Sequence, residues 1–205
     1  EWQRAFLNLW VEAHDPLFDM VAWGGLGADL TAPRLSDCVV GFSQASDRSR
    51  AAVVAAWVLP DGRRALKLVV STADVSSFAA RLVEIDEQGP IALVGDDGGL
   101  DRPLIDQVRR ALPSHRDVTA LTPKDWVLGS TRFAASITDG TVAHARDDHL
   151  TAAVSAAVSK PMGEAWAVSH RSRPEVVAAV AALRGLDARP APVAAPYIYV
   201  PGMSA

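Results

Sequence analysis

Two adjacent carboxylates, Asp96 and Asp97, stand at the end of the apolar run Pro90-Ile-Ala-Leu-Val94 and are followed by Gly98-Gly99. The run reads as a strand, and the carboxyl end of a strand in an open α/β sheet is where such sheets place their ligands. A hard divalent cation such as Mg²⁺ takes oxygen donors of this kind and keeps the carboxylates ionised. The same pair also suits a solvated loop that caps the helix starting near Leu104, so both readings stand at this level. Basic residues come in four small groups: Arg48 with Arg50, Arg63 with Arg64, Arg109 with Arg110, and His170-Arg171 with Arg173. A solvated surface explains each group alone. The first and last flank the first strand of the main domain and its last helix, a placement from which they could converge near Asp96 and hold phosphates.

Other constellations carry less. Gly41-Phe-Ser-Gln-Ala45 falls one residue short of a GxSxG nucleophile elbow. That motif needs a strand-turn-helix context, whereas Ser43 leads into a polar turn and another strand. His144, Asp147, Asp148 and His149 match no zinc-protease spacing, and Asp147 or Asp148 suits the N-cap of a helix beginning at Leu150. A phosphate-cradling GxxxxGK[ST] loop is absent from the sequence. The lone Cys38 excludes an internal disulfide, a zinc knuckle and a CxxC redox pair, and points to a reducing cytosol.

The elements that must position these groups follow from periodicity. The 205 residues, 49% apolar and 21% charged, suit one domain with flanking chain and exclude wholesale disorder. With 20 basic and 24 acidic residues the formal net charge is −4, so nucleic-acid binding calls for a local patch. No apolar run is long enough to span a membrane. The chain begins at Glu1 without a signal-like segment, as expected of a piece of a longer protein. Trp2, Phe6, Leu9 and Trp10 recur at helical spacing, which predicts a helix over residues 1–13, stopped by His14-Asp15-Pro16. Gly24-Gly25-Leu26-Gly27 and Pro33 predict a loop. Strands are expected at Asp37–Phe42, Arg50–Leu59, Arg64–Val70, Pro90–Val94 and Asp117–Leu121, with further short ones at Val142–His144 and Ala165–Val168. Pro60-Asp61-Gly62 is a hairpin signal. Helices are expected at Ser76–Gln88, Leu104–Leu112, Lys124–Ala135, Leu150–Val158 and Glu175–Leu183. Ala188-Arg-Pro-Ala-Pro-Val-Ala-Ala-Pro196 reads as an extended Pro/Ala linker. A meander followed by βαβ units implies an α/β fold, a mixed five-stranded sheet with helices on both faces, in the order of a ribonuclease H-like domain.

Several segments resemble one family. Phe6-Leu-Asn-Leu-Trp10 resembles the YLNxW segment that follows the ATPase domain in large terminase subunits of tailed phages, especially those of actinobacteria. Ser46-Asp-Arg-Ser-Arg-Ala-Ala-Val53 resembles that family's SPDRSRAAI turn, and Leu121-Thr-Pro-Lys-Asp125 leading to Gly129-Ser-Thr-Arg-Phe133 its TTxDxxxAxGxF helix. His144, Leu150 and Ala152-Ala153 are similar to its H…LxxAV stretch, and Lys160-Pro-Met-Gly-Glu-Ala-Trp166 to its KRPLGDAWAW strand. The similarity spans about residues 2–185.

The resemblance implies a ribonuclease H-like nuclease domain at residues 34–187, an interdomain linker at 1–33 from an upstream ATPase domain, and a tail at 188–205. It implies cleavage of concatemeric double-stranded DNA during packaging, with two Mg²⁺ or Mn²⁺ ions held by acidic residues. Implied partners are double-stranded DNA, the ATPase domain, a portal and a small terminase subunit, in the bacterial host cytoplasm with no membrane. Asp96 matches the family's second acid; the first falls on Ser43 and the third on Arg171. Asp47 and Asp97 are the substitutes expected beside Asp96 as catalytic residues, and Asp96, Asp97, Asp47 and Glu164 as metal ligands. Glu175 also adjoins Arg171, but it completes Ser172-Arg-Pro-Glu175, a capping-box pattern. Arg48, Arg50, Arg171 and Arg173 are the expected DNA contacts. A nuclease-fold domain that has lost cleavage and acts in DNA binding or motor assembly is the alternative.

Overall fold

The computed structural model describes residues 16–87, 91–98 and 101–189. The Trp-rich helix expected at 1–13, with its Phe6–Trp10 motif, and nearly all of the Pro/Ala tail lie outside these residues.

Seven strands form one sheet. β2 (Val39–Gln44), β3 (Ala51–Val58) and β4 (Arg64–Thr72) make an antiparallel meander. Gly62, at φ 86°, turns the β3–β4 hairpin, and its N–H donates to the Leu59 carbonyl. β5 (Ala92–Asp96) pairs parallel with β2, and β6 (Val118–Leu121) parallel with β5. On the other side β7 (Val142–Ala145) pairs parallel with β4, and β1 (Gly27–Ala28) with β7. The strand order is β1-β7-β4-β3-β2-β5-β6. The five-stranded sheet expected from the sequence is thus widened by two strands. β7 lies where a short strand was anticipated. β1 is two residues long in a stretch read as a loop, too short to show any alternation. Ala165–Val168 (β9) stays out of the large sheet and pairs with β8 (Ser159–Met162) in a separate hairpin.

Helices cover both faces. α2 (Phe78–Glu87) and α3 (Arg102–Ala111) pack on the face that carries Val40, Phe42, Val53 and Ala55. α1 (Met20–Gly25), α4 (Pro123–Thr138), α5 (Asp148–Ser155) and α6 (Pro174–Ala188) pack on the face that carries Val39, Val54, Ala56 and Leu66. α1 was not anticipated. Asp19 caps it by accepting from the amides of Val21 and Ala22, and the helix ends in the Gly-Gly pair that had suggested a loop. Phe18 and Trp23, in the stretch expected as linker, are buried against Phe133.

α6 fixes the geometry of the site end of the sheet. Residues 174–183 are all buried, and their Val-Val-Ala-Ala-Val-Ala-Ala run lets the helix lie close on β2 and β3. A Cβ at Gly41 would stand 2.1 Å from the Ala178 carbonyl oxygen and 2.5 Å from the Ala182 nitrogen. Only glycine permits that approach, so the start of α6 is held over the carboxyl ends of β2 and β5.

Candidate active site at the carboxyl end of the sheet

Strand register lines up the polar side chains. Gly41 pairs with Val94, so two residues on, Ser43 and Asp96 are neighbours on adjacent strands. Ser43 pairs with Ala52, and Ala52 with Ser71. Asp96, Ser43, Ala52 and Ser71 therefore form one row across β5, β2, β3 and β4. The loop after β5 and the start of α6 supply the groups that close over this row.

Asp101 comes from the residue before α3. It occupies the N-cap position without capping the helix and turns instead to β2, accepting from Ser43 Oγ at 2.8 Å and from the Gln44 amide at 3.0 Å. Burial pushes its carboxyl up to about 6; these two hydrogen bonds and nearby His170 oppose the rise, while the Asp96 charge adds to it.

Asp96 is 1% exposed. His170 Nε2 lies 2.8 Å from its Oδ2. Neither Asp96 oxygen nor that nitrogen meets a partner at hydrogen-bonding angles among the described residues. The His170 ring stacks on buried Trp126, centroids 5.5 Å apart and planes at 17°. Trp126 is itself anchored, donating from Nε1 to the Val168 carbonyl at 2.9 Å. A Cβ at Gly98 would come within 2.6 Å of Asp96 Oδ2, so the loop after β5 also lies against the carboxylate.

Glu175, at the start of α6, is fully buried at the far end of the row. Ser71 Oγ donates to its Oε1 at 2.8 Å, Arg173 donates to the same oxygen at 3.2 Å, and Arg50 stands 3.6 Å away while donating to Ser71. The capping box expected at Ser172–Glu175 does not form. The helix begins one residue later, at Pro174 after an uncapped Arg173, and Ser172 Oγ is engaged with the backbone of Val158. Glu175 is drawn instead to two arginines, a stronger partner set for a buried carboxylate than a single amide.

Of the carboxylates singled out in the sequence, Asp96 lies in the row. Asp97 is paired with Arg102 at 2.5 Å, and its amide joins the ladder at Leu121. Asp47 is exposed in the β2–β3 turn, where hydrogen bonds from Ser49 hold its carboxyl below the ordinary value. Glu164 is exposed at the β8–β9 turn. Among the described residues no three His, Cys, Asp or Glu side chains converge as prospective metal ligands. Arg50 and Arg173 meet at Glu175, which brings together the two turns carrying exposed Arg48 and Arg171. Arg63, Arg64 and Arg109 pair with Asp61, Asp187 and Asp117. Asp147 caps α5 by accepting from the Leu150 amide, and His144 is buried in a stack on Trp23. Asp101 went unread as a neighbour of the row, and Glu175, a conceivable substitute acid, was expected instead to complete a capping box. The one signal for Asp101, its place just before Arg102-Pro103, had the appearance of an ordinary helix start.

A mixed sheet covered on both faces, with buried carboxylates at its carboxyl end, defines an α/β domain of the ribonuclease H-like architecture. Among solved structures, the large terminase of bacteriophage HK97 is similar in fold, with a TM-score of 0.61 at 16% identity over 82% of this chain and 43% of the terminase. The large terminase nuclease from thermophilic phage G20c with bound magnesium is similar with a TM-score of 0.55 at 14% identity, over 83% of this chain and 97% of the nuclease. By sequence the chain matches no family model and no curated protein. At these identities the likeness is one of fold: the chain has the fold of large-terminase nuclease domains and spans less than half of the HK97 protein. No helix among the described residues is long and apolar enough to cross a membrane.

Proposed function

We propose that this chain is the nuclease-fold domain of a terminase-type large subunit and that it grips double-stranded DNA without completing a two-cation cleavage centre. The observation that carries this reading is the row itself. Asp96 is its only carboxylate, and the positions beside it are Ser43, Ala52 and Ser71. Of the two further acids near the row, Asp101 has both oxygens taken by Ser43 and Gln44, and Glu175 has Oε1 taken by Ser71 and two arginines while its Oε2 is buried without a hydrogen bond among the described residues. Two divalent ions about 4 Å apart need several ionised oxygens between them, and both Asp101 oxygens already accept hydrogen bonds from β2. The residues present do not fit such a pair.

The paired turns with Arg48, Arg50, Arg171 and Arg173 supply the phosphate contacts in this reading. In the whole protein an upstream ATPase domain would drive the DNA, and a portal and a small subunit would meet the assembly.

The competing reading is cleavage of concatemeric DNA with Mg²⁺ or Mn²⁺. It draws on the two Asp96 oxygens, which are buried without hydrogen bonds, and on the magnesium-bound relative. Incubating supercoiled plasmid with Mg²⁺ or Mn²⁺ separates the two. The proposal expects no nicking or linearisation above that of Asp96→Ala, together with duplex binding that weakens as salt rises. Cleavage abolished by Asp96→Ala would overturn it.

A further inference from the structure

We infer that Glu175 is a positioning residue for duplex binding: one oxygen of its buried carboxylate holds Arg50 and Arg173 as a preformed pair for the DNA phosphates. The inference deepens the preceding reading and rests on it: that reading names the arginines, and this one assigns the group that sets two of them in place.

The two arginines come from different parts of the fold. Arg50 immediately precedes β3, and Arg173 immediately precedes α6. Their backbones are fixed. The Arg50 carbonyl accepts from the Ala45 amide at 2.8 Å, and the Arg173 carbonyl accepts from the amides of Val176 and Val177. Both guanidinium groups reach the same atom, Glu175 Oε1, at 3.6 Å and 3.2 Å. Ser71 on β4 links Arg50 to it, donating to that oxygen at 2.8 Å while accepting from Arg50 at 3.1 Å. Glu175 Oε2 is buried without a hydrogen bond among the described residues, so compensation for burying the carboxylate falls on Oε1 and on these partners. A guanidinium carries five N–H donors, and each arginine turns one nitrogen to Glu175, which leaves donors over for a second acceptor. The arginine side chains are 38% and 34% exposed, against 0% for Glu175. The anchor therefore lies inside while part of each cation reaches solvent, in the same two turns as exposed Arg48 and Arg171. A long side chain that meets a phosphate ordinarily loses rotamer freedom on binding, and for this pair that ordering is complete beforehand. Charge alone makes the opposite prediction. A carboxylate beneath a phosphate-binding surface repels DNA, so neutralising it without any loss of positioning would tighten binding.

Binding of a short DNA duplex across a salt series, by wild type, Glu175→Gln and Ser71→Ala, tests the inference. Glu175→Gln keeps the shape and removes the charge that holds both arginines. Its affinity is expected to fall about tenfold. The slope of log affinity against log salt should stay as in wild type, because the loosened arginines still reach phosphates. Ser71→Ala keeps the carboxylate and removes only the link to Arg50, so a loss of about threefold is expected. It also serves if the glutamine variant does not fold. Nitrogen-15 relaxation of the arginine side chains in the DNA-free protein supplies a readout that a merely stabilising carboxylate would not move. Arg50 and Arg173 should be more restricted than Arg48 on the ps–ns timescale, and should gain motion in Glu175→Gln. Equal or tighter duplex binding by the folded variants would overturn the inference. So would wild-type Arg50 and Arg173 side chains as mobile as that of Arg48. Wild-type protein that binds no duplex sinks the functional reading, whereas wild-type binding that both variants match sinks this inference alone.

Discussion

Ser43 and Asp101 are 58 residues apart in the chain, yet the Ser43 hydroxyl donates to the Asp101 carboxylate at 2.8 Å. The contact ties the end of β2 to the start of α3, and the Gln44 amide reinforces it on the other oxygen. Ser43→Ala leaves a buried carboxylate short of one donor. The expected cost is about 1–3 kcal/mol in chemical denaturation, with a further rise in the proton affinity of Asp101.

Stability should depend on the ionisation of Asp101. Its carboxyl is raised from 3.8 to about 6, so the folded protein binds this proton more tightly than the unfolded chain does. The contribution is present in full below about pH 4 and is lost as pH rises through about 6, a swing on the order of 3 kcal/mol. Urea unfolding between about pH 4 and pH 7 should show this loss in the wild type. The slope should flatten in Asp101→Asn, and an unchanged slope there would count against the assignment.

Two glycines should respond oppositely to a methyl group. Gly41→Ala drives a Cβ into the backbone of α6, with no flexible side chain to yield, and should cost about 3 kcal/mol or more. Gly24→Ala, in α1, meets nothing within 4 Å and has no positive φ, so it should be neutral or stabilising by up to about 1 kcal/mol. Thermal unfolding of the two variants side by side checks the contrast.

Asp86 and Arg116 form a partly buried pair, 2.7 Å apart, with the same guanidinium also donating to the Ile91 carbonyl. Burial is the largest influence on Asp86 and pushes its carboxyl up, but the Arg116 hydrogen bond, the Ile91 amide and the charges of Arg116 and His115 together leave it lowered. Its contribution is therefore present at neutral pH and lost as pH falls. Arg116→Ala strands the charge and should cost about 3 kcal/mol at neutral pH. The deficit should shrink in acid, as equilibrium denaturation at the two pH values would reveal.

If the two arginine turns bind phosphates, Arg48→Ala and Arg171→Ala should each weaken duplex binding for all sequences alike. Each should reduce the salt slope of log affinity by about one. Arg63→Ala, a change in an arginine paired with Asp61 in the β3–β4 turn, should leave the slope unchanged.

Local features were legible in the residues. The Asp61-Gly62 hairpin, the N-cap at Asp147, the main strands and the position of Asp96 at the end of β5 all depend on short-range rules of turn geometry, capping and alternation. These signals act over a few residues, so a single sequence carries them. β1 escaped because two residues have no periodicity, and α1 because Asp19 outweighed the pair of glycines at the other end of the helix.

The make-up of the site was decided by tertiary structure. Whether Ser172 would cap Glu175 or release it to Ser71 and the arginines depended on where α6 came to rest, and that followed from the close approach at Gly41. That His170 reaches Asp96, and Asp101 reaches Ser43, depends on strand register and on loops closing from remote parts of the chain. Such contacts arise between residues whose separation along the chain says nothing about their separation in space, and they are selected only when the whole core packs.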